Sequence, residues 1–476
     1  MVLLGQIFGF IGLLFVLISI QNNKKNLILF FQIFANIFYG LQYFTLGLLS
    51  AGLLLAACGN DSTNTAEENT DTDVATDSVE DVEIDFWHMY TDGTMADEVM
   101  PEIIAEFEAE NPHIKVNDLG TNFFDYWTKL NTAIAGDVAP DLAMNDSSTV
   151  PARAANGILV PLNQYFEADD FDTDTFYPVL MDAMEYEGDY YGLANDTDVR
   201  VLYYNKEHFR EAGLDPDTPP TSWEELKEYA GALTIIDDNE RIERMGFTPD
   251  MWMSNIQVHT LAWTNGGDFW DDEGNPTFMR EENLEAVQFI KDFQDFYGEE
   301  AVSAFRSEAG VMDHGPFVEG RLSMVMDVNN LARTINRENP DLDYGIATLP
   351  YKEEPVTYSA GFNYEIIDND DEAKARAAWD LLKYITSEDV QKRIIDAEGI
   401  ISANRLATEA DEFMEDEHWA TIVEQMEHAR FIEFIPEFPS WNGSLVTVQE
   451  AVLTDGVPIE EAMQEAQDQA EQAVNN

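Results

Sequence analysis

Aromatic and carboxylate side chains recur near the ends of segments that are predicted to be strands. Trp87 and Tyr90 follow the first such segment, Asp146 and Ser147 follow a later one, and Trp441 stands in a polar loop. Carboxylates and amides bind sugar hydroxyls, while an aromatic ring packs against the apolar face of a sugar. The same groups can surround an organic cation, because aromatic faces attract positive charge. We therefore predict a small-molecule site that draws on Trp87, Tyr90, Asp146, Ser147, Asp196, Asp198, Arg200, Trp263, Asp327, Phe362, Asn363 and Trp441.

These residues also have structural interpretations. Arg200 could pair with Asp196 or Asp198, and Asp146 could cap the helix that follows it. A tryptophan at the end of a strand could belong to the core, and we expect this for at least one of Trp252, Trp263 and Trp270. Trp441 lies in a polar loop next to proline, so we favour contact between its ring and a ligand.

Other chemistries lack a matching pattern. The seven histidines show no metal-ligand spacing, and a single cysteine, Cys58, excludes a cysteine-based zinc cage and an intramolecular disulfide. The acidic segment 268–273 is a weak calcium candidate, because it lacks the glycine and the terminal glutamate of an EF-hand. A glycosidase needs two carboxylates across a cleft, and no pair stands out among 92 acidic residues. We therefore expect no enzyme activity, no cofactor and no metal.

The 476-residue chain is strongly acidic. It carries 25 lysines and arginines against 92 aspartates and glutamates, which gives a formal net charge of −67. This excess repels nucleic acid and anionic lipid headgroups, and it disfavours phosphate or sulfate esters as ligands. The acidic residues are spread along the whole chain, so we interpret them mainly as the hydrated surface of an exported protein.

The sequence around Cys58 resembles the lipobox of bacterial lipoproteins. Residues 53–57 are apolar or small, Gly59 follows the cysteine, and residues 59–80 are mostly polar or acidic. The resemblance implies a signal or membrane segment at 1–57, a lipid on the Cys58 thiol after cleavage before it, and a disordered acidic tether at 58–80. Residues 1–44 resemble the start of a multi-spanning membrane protein and could be foreign to the natural chain.

Beyond residue 80 the hydrophobic pattern changes repeatedly between the strand and helix periods. Residues 82–86 alternate as a strand does, and Val99, Ile103 and Phe107 recur four apart, as on one face of a helix. Thr221-x-x-Glu224 resembles a capping box that starts another helix. This alternation predicts an α/β fold with mainly parallel, doubly wound sheets, and the length of the chain suggests two lobes.

Several short motifs, taken in order, resemble the carbohydrate-binding group of extracellular solute-binding proteins that serve ABC transporters. One departure is Ser402, because this family commonly has a proline before the small residue of that loop. The matching motifs are Phe86-Trp87-His88, Asn111-Pro112, Gly136-Asp137-Val138-Ala139-Pro140-Asp141, Tyr203-Tyr204-Asn205-Lys206, Thr221-Ser222-Trp223-Glu224-Glu225-Leu226, Asn265-Gly266-Gly267 and Gly320-Arg321-Leu322-Ser323-Met324.

The resemblance implies a two-lobed, periplasmic-binding-protein-like α/β fold with a hinge between the lobes and the ligand in the cleft. It places lobe one at 81–197 plus 328–386 and lobe two at 198–327 plus 387–476. It further implies a lipid-anchored, extracytoplasmic monomer that captures a sugar or oligosaccharide and delivers it to the permease of an ABC importer. A binder of quaternary amines or polyamines and an exported glycosidase remain as alternatives.

Overall fold

The computed structural model describes residues 81–90, 99–238, 241–249, 254–271, 273–309, 315–432, 435, 437–438 and 440–475. All of them belong to one of the chain's two compact units, residues 79–476. The predicted signal segment, the tether and Cys58 lie outside the described residues. Within the described part of the chain, no helix has the length and apolar character needed to cross a bilayer.

The strands alternate with helices along the chain, as the sequence predicts. In chain order the strands are β1 (Val82–His88), β2 (Ile114–Gly120), β3 (Leu142–Asp146), β4 (Glu185–Tyr186), β5 (Asp189–Tyr190), β6 (Leu193–Ala194), β7 (Asp196–Thr197), β8 (Arg200–Asn205), β9 (Ile235–Ile236), β10 (Ile242–Phe247), β11 (Leu322–Val328), β12 (Tyr344–Ala347), β13 (Thr357–Tyr358), β14 (Phe362–Ile366), β15 (Ile401–Ser402) and β16 (Ala429–Arg430).

The helices are α1 (Met100–Glu110), α2 (Phe123–Ala135), α3 (Val150–Ala155), α4 (Asn163–Asp169), α5 (Pro178–Asp182), α6 (Lys206–Ala212), α7 (Trp223–Leu233), α8 (Ser254–Thr264), α9 (Glu281–Tyr297), α10 (Glu299–Ala309), α11 (Gly315–Val318), α12 (Leu331–Glu338), α13 (Glu372–Ile385), α14 (Glu388–Glu398), α15 (Arg405–Thr408), α16 (Asp411–Met414), α17 (Glu417–Met426), α18 (Gly443–Leu453) and α19 (Ile459–Val474).

The first lobe is built on a five-stranded sheet in the order β2-β1-β3-β14-β6. The first three strands are parallel, and β14 runs antiparallel to β3 and β6. Alternate residues of β1, such as Ile84 and Phe86, are fully buried in a core that also contains Trp379 of α13. Since β1, β2 and β3 are parallel, their carboxyl ends meet at one edge of the sheet, where open α/β sheets bind ligands.

The second lobe is built on a sheet in the order β12-β8-β11-β10-β9. Every residue of β8 is buried, because its two faces and both of its edges are covered. The sheet is mixed, since β8 pairs antiparallel with β11 and β12, while β10 and β11 are parallel. The prediction of mainly parallel sheets is therefore wrong for this lobe. Hydrophobic period reveals that a strand is buried, but it does not reveal the direction of the neighbouring strand.

Two strand segments cross between the lobes side by side. One runs from β7 into β8, and the other runs from β13 into β14. The amide of Asp198 donates to the carbonyl of Ala360 at 2.8 Å, and the amide of Arg200 donates to the hydroxyl of Thr357 at 3.0 Å. These bonds tie the crossing segments into one strip, so both must bend together if the lobes move.

The sheets place two parts of the chain differently from the predicted lobe boundaries. Strand β12 lies within 328–386, which we assigned to lobe one, yet it pairs with β8 in the second sheet. Val390 and Ile394 of α14 lie within 387–476, which we assigned to lobe two, yet they pack into the first core. Strand pairing and helix docking decide membership of a lobe, and neither is visible along the linear sequence.

Candidate ligand-binding site

A cavity of about 460 Å³ lies between the carboxyl end of β3, the β13–β14 crossing and the chain that follows α17. Pockets of this size are typical of small-molecule sites. The lining combines carboxylate, hydroxyl, amide, guanidinium, aromatic and aliphatic groups. The residues that line the cavity, which we call the cleft, are Asp146, Ser147, Ser148, Pro151, Val179, Ala183, Tyr358, Ser359, Ala360, Gly361, Ala429, Arg430, Phe431, Ile432 and Asn442.

Asp146 both caps a turn and faces the cleft. It is the last residue of β3, and its Oδ1 accepts hydrogen bonds from the amide of Ser148 at 2.8 Å and from the Ser148 hydroxyl at 2.5 Å. These bonds start the short 3-10 turn Ser147–Thr149. The structural and the ligand-binding interpretations of Asp146 are therefore compatible, because the turn fixes the orientation of a carboxylate that lines the cavity.

The crossing segment between β13 and β14 approaches strand β7 closely at Gly361. The carbonyl of Gly361 accepts from the amide of Ser147 at 3.1 Å. A Cβ atom at Gly361 would collide with the carbonyl oxygen of Asp196. Glycine is therefore required here by space, and its small size lets the backbone of the hinge form one wall of the cleft.

Two aromatic rings beside the cleft are covered by arginine side chains of the protein itself. Trp263 and Tyr358 stack with their ring centroids 6.0 Å apart, at 18° between planes. The guanidinium of Arg430 lies 4.7 Å from the Trp263 ring, and that of Arg200 lies 4.6 Å from the Tyr358 ring. Arg430 also pairs with Asp268, so the positive charge in the cleft is neutralised locally.

Arg200 forms an ion pair with Asp198, as its structural interpretation predicts. The guanidinium is buried, and the Asp198 carboxylate also accepts from the amide of Ala360 at 3.0 Å. Burial raises the pKa of Asp198, although the charge of Arg200 lowers it. The bond from Ala360 joins the two crossing segments, and about one third of the Asp198 side chain stays exposed.

Asp196 is a buried carboxylate next to the hinge. Its Oδ1 accepts from the amide of Phe362 at 3.0 Å, and its Oδ2 accepts from the Asn195 side chain at 2.7 Å. Burial raises its pKa to about 7, and the negative charge of Asp198 adds to this increase. Asp196 therefore supports the hinge from within and does not line the cleft.

Four other predicted residues lie away from the cleft lining. Tyr90 is buried and its hydroxyl accepts from the Asn195 side chain at 3.1 Å, while burial raises the pKa of Tyr90 well above its usual value. Asp327 is buried in β11, where its carboxylate accepts from the amide of Val328 at 2.7 Å. Asn363 is fully buried in β14, and Trp263 lies beneath Tyr358 and Arg430.

Trp441 belongs to the core of the second lobe, contrary to our preference for ligand contact. Its indole is 1% exposed. The ring packs against His259, Trp270 and Phe278 at centroid distances of 4.9, 5.7 and 6.0 Å. The polar character of the surrounding loop misled the prediction, because Asn442, the next residue, is the one that lines the cleft.

Trp87 and Phe362 lie in the first lobe beside helix α2, outside the residues that line the cleft. Phe362 packs against Trp127 and Phe123 of α2 at 6.2 and 6.4 Å, and Phe123 is 40% exposed. Lys129 lies 5.0 Å from the Trp87 ring. Both predicted residues are half-buried, and neither lines the cavity.

Sequence reasoning missed most of the second lobe's contribution to the cleft. Arg430, Phe431 and Asn442 lie in short segments between helices with no strand period or known motif. The small residues Ser359 and Gly361, which stand just before a strand, are a sequence signal that two backbone segments could lie close together there. Among the described residues no group of histidines, cysteines and acids could hold a metal, and Asp271 of the acidic loop instead accepts from the amides of Glu273 and Asn275.

Comparison with known families gives a match over most of the described chain. The family of bacterial extracellular solute-binding proteins matches residues 102–421. A Brucella abortus (strain 2308) protein that is named only as a binding protein is 24% identical over 336 residues, which are 70% of this chain and 80% of that protein. The sn-glycerol-3-phosphate-binding periplasmic protein UgpB of Escherichia coli (strain K12) is 26% identical over 281 residues, 56% of this chain and 61% of UgpB.

Solved structures share the same fold. A structure of CpMnBP1 with mannotriose bound superposes with a TM-score of 0.72 and 23% identity, and the match covers 82% of this chain and all of CpMnBP1. A solute-binding protein of an ABC transporter from Thermotoga lettingae TMO, bound with alpha-D-tagatose, gives a TM-score of 0.71 and 26% identity over 82% of this chain and 99% of that protein. These matches confirm the predicted fold class.

Proposed function

Because the chain belongs to the bacterial extracellular solute-binding proteins, we propose that it captures a neutral sugar or oligosaccharide in the cleft and delivers it to the permease of an ABC importer. The family makes the protein an extracytoplasmic binding protein. The sugar is our proposal, and it is supported by structural neighbours with bound sugars and by the chemistry of the cleft.

The observation that carries the proposal is the mixture of groups around one cavity. Asp146 offers a carboxylate, and Asn442 offers an amide from the other lobe. Phe431 and Ile432 offer apolar surface, and Ser147 is one of several hydroxyl donors. Sugars need directional partners for their hydroxyls together with apolar surface for their C–H faces, and this lining supplies both.

A cationic ligand has less support. The Trp263 and Tyr358 rings would have to present free faces to an ammonium group, but the guanidinium groups of Arg430 and Arg200 already lie over them. An ammonium group would have to displace one of these guanidinium groups to reach either ring. The cleft therefore favours a neutral ligand over a quaternary amine or polyamine.

A phosphate ester is the second candidate. It is favoured by the relative that binds sn-glycerol 3-phosphate and by Arg430, a cation that lines the cleft. Against it, Arg430 is paired with Asp268, and Asp146 would face the anion. An uncharged ligand avoids both the competition for Arg430 and the repulsion from Asp146.

Titration calorimetry with the detergent-solubilised chain tests these candidates. The panel is mannotriose, maltose, tagatose, betaine, spermidine and sn-glycerol 3-phosphate. We expect heat of binding from at least one sugar and none from betaine or spermidine. Tight binding of sn-glycerol 3-phosphate that is lost in Arg430→Gln, without sugar binding, would contradict the neutral ligand.

We further propose that the protein releases its ligand chemically unchanged and is not an enzyme. The family consists of binding proteins. The roles described above for the acidic residues of the site are capping, ion pairing and ligand binding, and none of them needs a catalytic pair of carboxylates. Recovery of intact oligosaccharide by mass spectrometry after prolonged incubation is the expected result. Appearance of shorter sugars, absent from a heat-denatured sample, would instead support a glycosidase.

Attachment by a lipid at Cys58 and a monomeric state complete the proposal. The support for the lipid is the sequence alone, Leu55-Ala56-Ala57-Cys58-Gly59. In Cys58→Ala the chain should lose the mass of the lipid and should no longer be cleaved before residue 58. Unchanged mass and unchanged partition into detergent in that variant would refute the anchor.

A further inference from the structure

A buried ion pair lies behind the first-lobe wall of the cleft. The Nε and Nη2 atoms of Arg153, on α3, donate to Oε2 of Glu365, on β14, at 3.0 and 2.6 Å. The Glu365 side chain is fully buried, and 12% of the Arg153 side chain is exposed. Neither residue lines the cleft. Because removal from water costs an ion pair most of its Coulombic gain, a buried pair is weak evidence of a role in stability.

One branch of hydrogen bonds runs from Glu365 to the backbone of Asp146. Asn145, the residue before it, is buried, and its Nδ2 donates to Oε1 of Glu365 at 2.8 Å. The Oδ1 atom of Asn145 accepts from the amide of Asp146 at 2.9 Å. A carboxylate accepts hydrogen bonds and cannot donate them, so Glu365 decides which way the Asn145 amide faces. The oxygen of Asn145 is thereby turned toward Asp146.

A second branch runs from Arg153 to the carbonyl of the same aspartate. The Nη1 atom of Arg153 donates to the hydroxyl oxygen of Thr149. That hydroxyl donates to the carbonyl of Asp146 at 2.6 Å. A hydroxyl has one hydrogen to donate, and the bond that it accepts from the guanidinium leaves this hydrogen for Asp146. Both backbone polar groups of Asp146 are therefore bound by side chains that the ion pair orients.

The ion pair also joins the elements that form this wall of the cleft. Asp146 ends β3, Pro151 lies in α3 and Gly361 directly precedes β14, and all three residues line the cavity. The bonds from Ser148 to Oδ1 of Asp146 fix the carboxylate relative to its own turn. The two branches from the ion pair fix that turn relative to α3 and β14.

We propose that Arg153 and Glu365 are positioning residues of the binding site, which hold the carboxylate of Asp146 in the orientation that a sugar hydroxyl requires. The inference rests on the proposed function for the nature of the ligand. A group that is already held in place loses little freedom when the ligand binds, so support of this kind raises affinity. Loss of the ion pair should therefore weaken sugar binding, although neither residue touches the sugar.

A double-mutant cycle with Asp146 tests the proposal. Calorimetry is performed on the detergent-solubilised chain with mannotriose, maltose and tagatose. We expect Arg153→Met to weaken binding of the sugar that the wild type binds by about tenfold, as the loss of a supporting residue often does. In Asp146→Ala no carboxylate remains to be oriented, so the same change should weaken binding by less than about twofold.

The matched control is Arg376→Met. Arg376 forms a two-bond pair with Asp169 in the same lobe, with both bonds at 2.9 Å, and neither residue lines the cleft. Its affinity for the sugar should equal that of the wild type, whatever happens to its stability toward urea. A loss of affinity in this control as large as that in Arg153→Met would mean that general destabilisation, and not positioning, weakens binding.

Arg153→Met leaves the Glu365 carboxylate buried without its cation and can unfold the chain, so a milder variant is measured beside it. Thr149→Val keeps the ion pair and removes only the hydroxyl that binds the Asp146 carbonyl. Binding should weaken about threefold, the effect of one neutral hydrogen bond, and this loss should vanish in Asp146→Ala. Wild-type affinity of Thr149→Val would refute the proposal even if Arg153→Met unfolds.

Hydrogen exchange of the ligand-free chain gives a measurement that needs no sugar. The amides of Asp146 and Ser148 both donate to side-chain oxygens of this turn. Mass spectrometry of a peptide that covers residues 145–149 should show exchange about tenfold faster in Arg153→Met, or in Thr149→Val if the former unfolds, because the turn opens more often. Arg376→Met should exchange as the wild type does.

Two results would overturn the proposal and leave the proposed function intact. The folded variants could bind sugar and exchange as the wild type does, or the loss of affinity could be equal with and without the Asp146 carboxylate. The opposite case is faster exchange at residues 145–149 when no sugar of the panel binds to the wild type. That result would support the positioning of Asp146 and contradict the proposed function.

Discussion

Asp146 shows how one side chain can serve both the fold and the site. Its Oδ1 is held by the amide and the hydroxyl of Ser148, and the same carboxylate lines the cleft. A carboxylate that is already oriented by two bonds loses little freedom when it binds a hydroxyl. This preorganisation is the main reason to regard Asp146 as the principal polar contact of the first lobe.

Asp146→Asn should weaken sugar binding and leave the fold intact. Asparagine caps turns about as well as aspartate, so the 3-10 turn should persist. The loss of a charged acceptor should cost about 1.5–3 kcal/mol of binding free energy, measured by calorimetry. The matched control is Asp172→Asn, since Asp172 also caps a 3-10 turn, Thr173–Thr175, but does not line the cleft. Equal affinity of both variants would remove Asp146 from the site.

Trp441→Ala should destabilise the ligand-free protein. The ring is buried among His259, Trp270 and Phe278, and truncation of a buried tryptophan typically costs about 3–5 kcal/mol of unfolding free energy. Urea unfolding measures this, with Phe296→Ala as control because Phe296 is 57% exposed. Full stability of Trp441→Ala combined with lost affinity would show that the ring does bind the ligand.

At the scale of elements, the two crossing segments are central to the site. The hydrogen bonds between them join the lobes, and their backbone forms one wall of the cleft. The Arg200–Asp198 pair and the backbone bond from Asp198 to Ala360 lie at the same point of the strip. Asp196, two residues earlier, is buried. Among the described residues its carboxylate is bound by the Asn195 side chain and the Phe362 amide, neither of which carries a positive charge. Its charged form is therefore costly in this position.

Stability should fall as Asp196 ionises. The pKa of Asp196 is about 7 in the folded protein against 3.8 for an ordinary aspartate, so the folded state holds this proton more tightly than the unfolded state. The penalty is absent below about pH 4, grows up to about pH 7 and is then constant, at up to about 4 kcal/mol. Asp196→Asn should remove it, so the difference in unfolding free energy between variant and wild type should change in favour of the variant from pH 4 to pH 7. A difference that does not change with pH would refute the ionisation.

Helix α7 shows that the sequence predicts the presence of a helix better than the residue at which it begins. The prediction placed its capping box at Thr221 and Glu224. In the structure Ser222 caps the helix by accepting from the amide of Glu225 at 3.2 Å, and the Glu225 carboxylate accepts from the amide of Thr221 at 2.8 Å. The helix was predicted correctly, but its start is one residue later, because two adjacent hydroxyl residues offer the same signal.

At the scale of the whole molecule, the cleft draws its lining from both lobes. Asp146 lies in the first lobe, and Arg430 and Asn442 follow helix α17 of the second. Phe431, which also lines the cleft, packs against the core of the first lobe. A ligand that contacts both sides stabilises the closed arrangement through those contacts alone, and the strip of crossing strands is the place where bending can occur.

Small-angle scattering should therefore show closure. The radius of gyration is expected to decrease when a sugar identified by calorimetry saturates the protein. The control is the same sugar added to Asp146→Asn at a concentration that leaves the variant unliganded. An unchanged radius at saturation of the wild type would mean that the lobes do not move on binding.

The sequence by itself determined the alternation of strands and helices, the alternating strand β1, and the resemblance that places the chain in its family. These features are local, because hydrophobic period and short motifs are written in consecutive residues. It also predicted that Asp146 and Ser147 lie at the edge of the sheet, where they line the cleft, since polar residues after a buried strand must lie at that edge.

Only the tertiary structure decided which candidates reach the cleft. Trp441 is buried and its neighbour Asn442 is not, Arg430 lies over Trp263, and β12 pairs with β8 in the second sheet although its place in the sequence assigned it to lobe one. Each of these facts depends on contacts between residues that are distant in sequence. Amino-acid composition and hydrophobic periodicity carry no information about such contacts. The packing of one element against another decides which side chains are buried and which line the cleft.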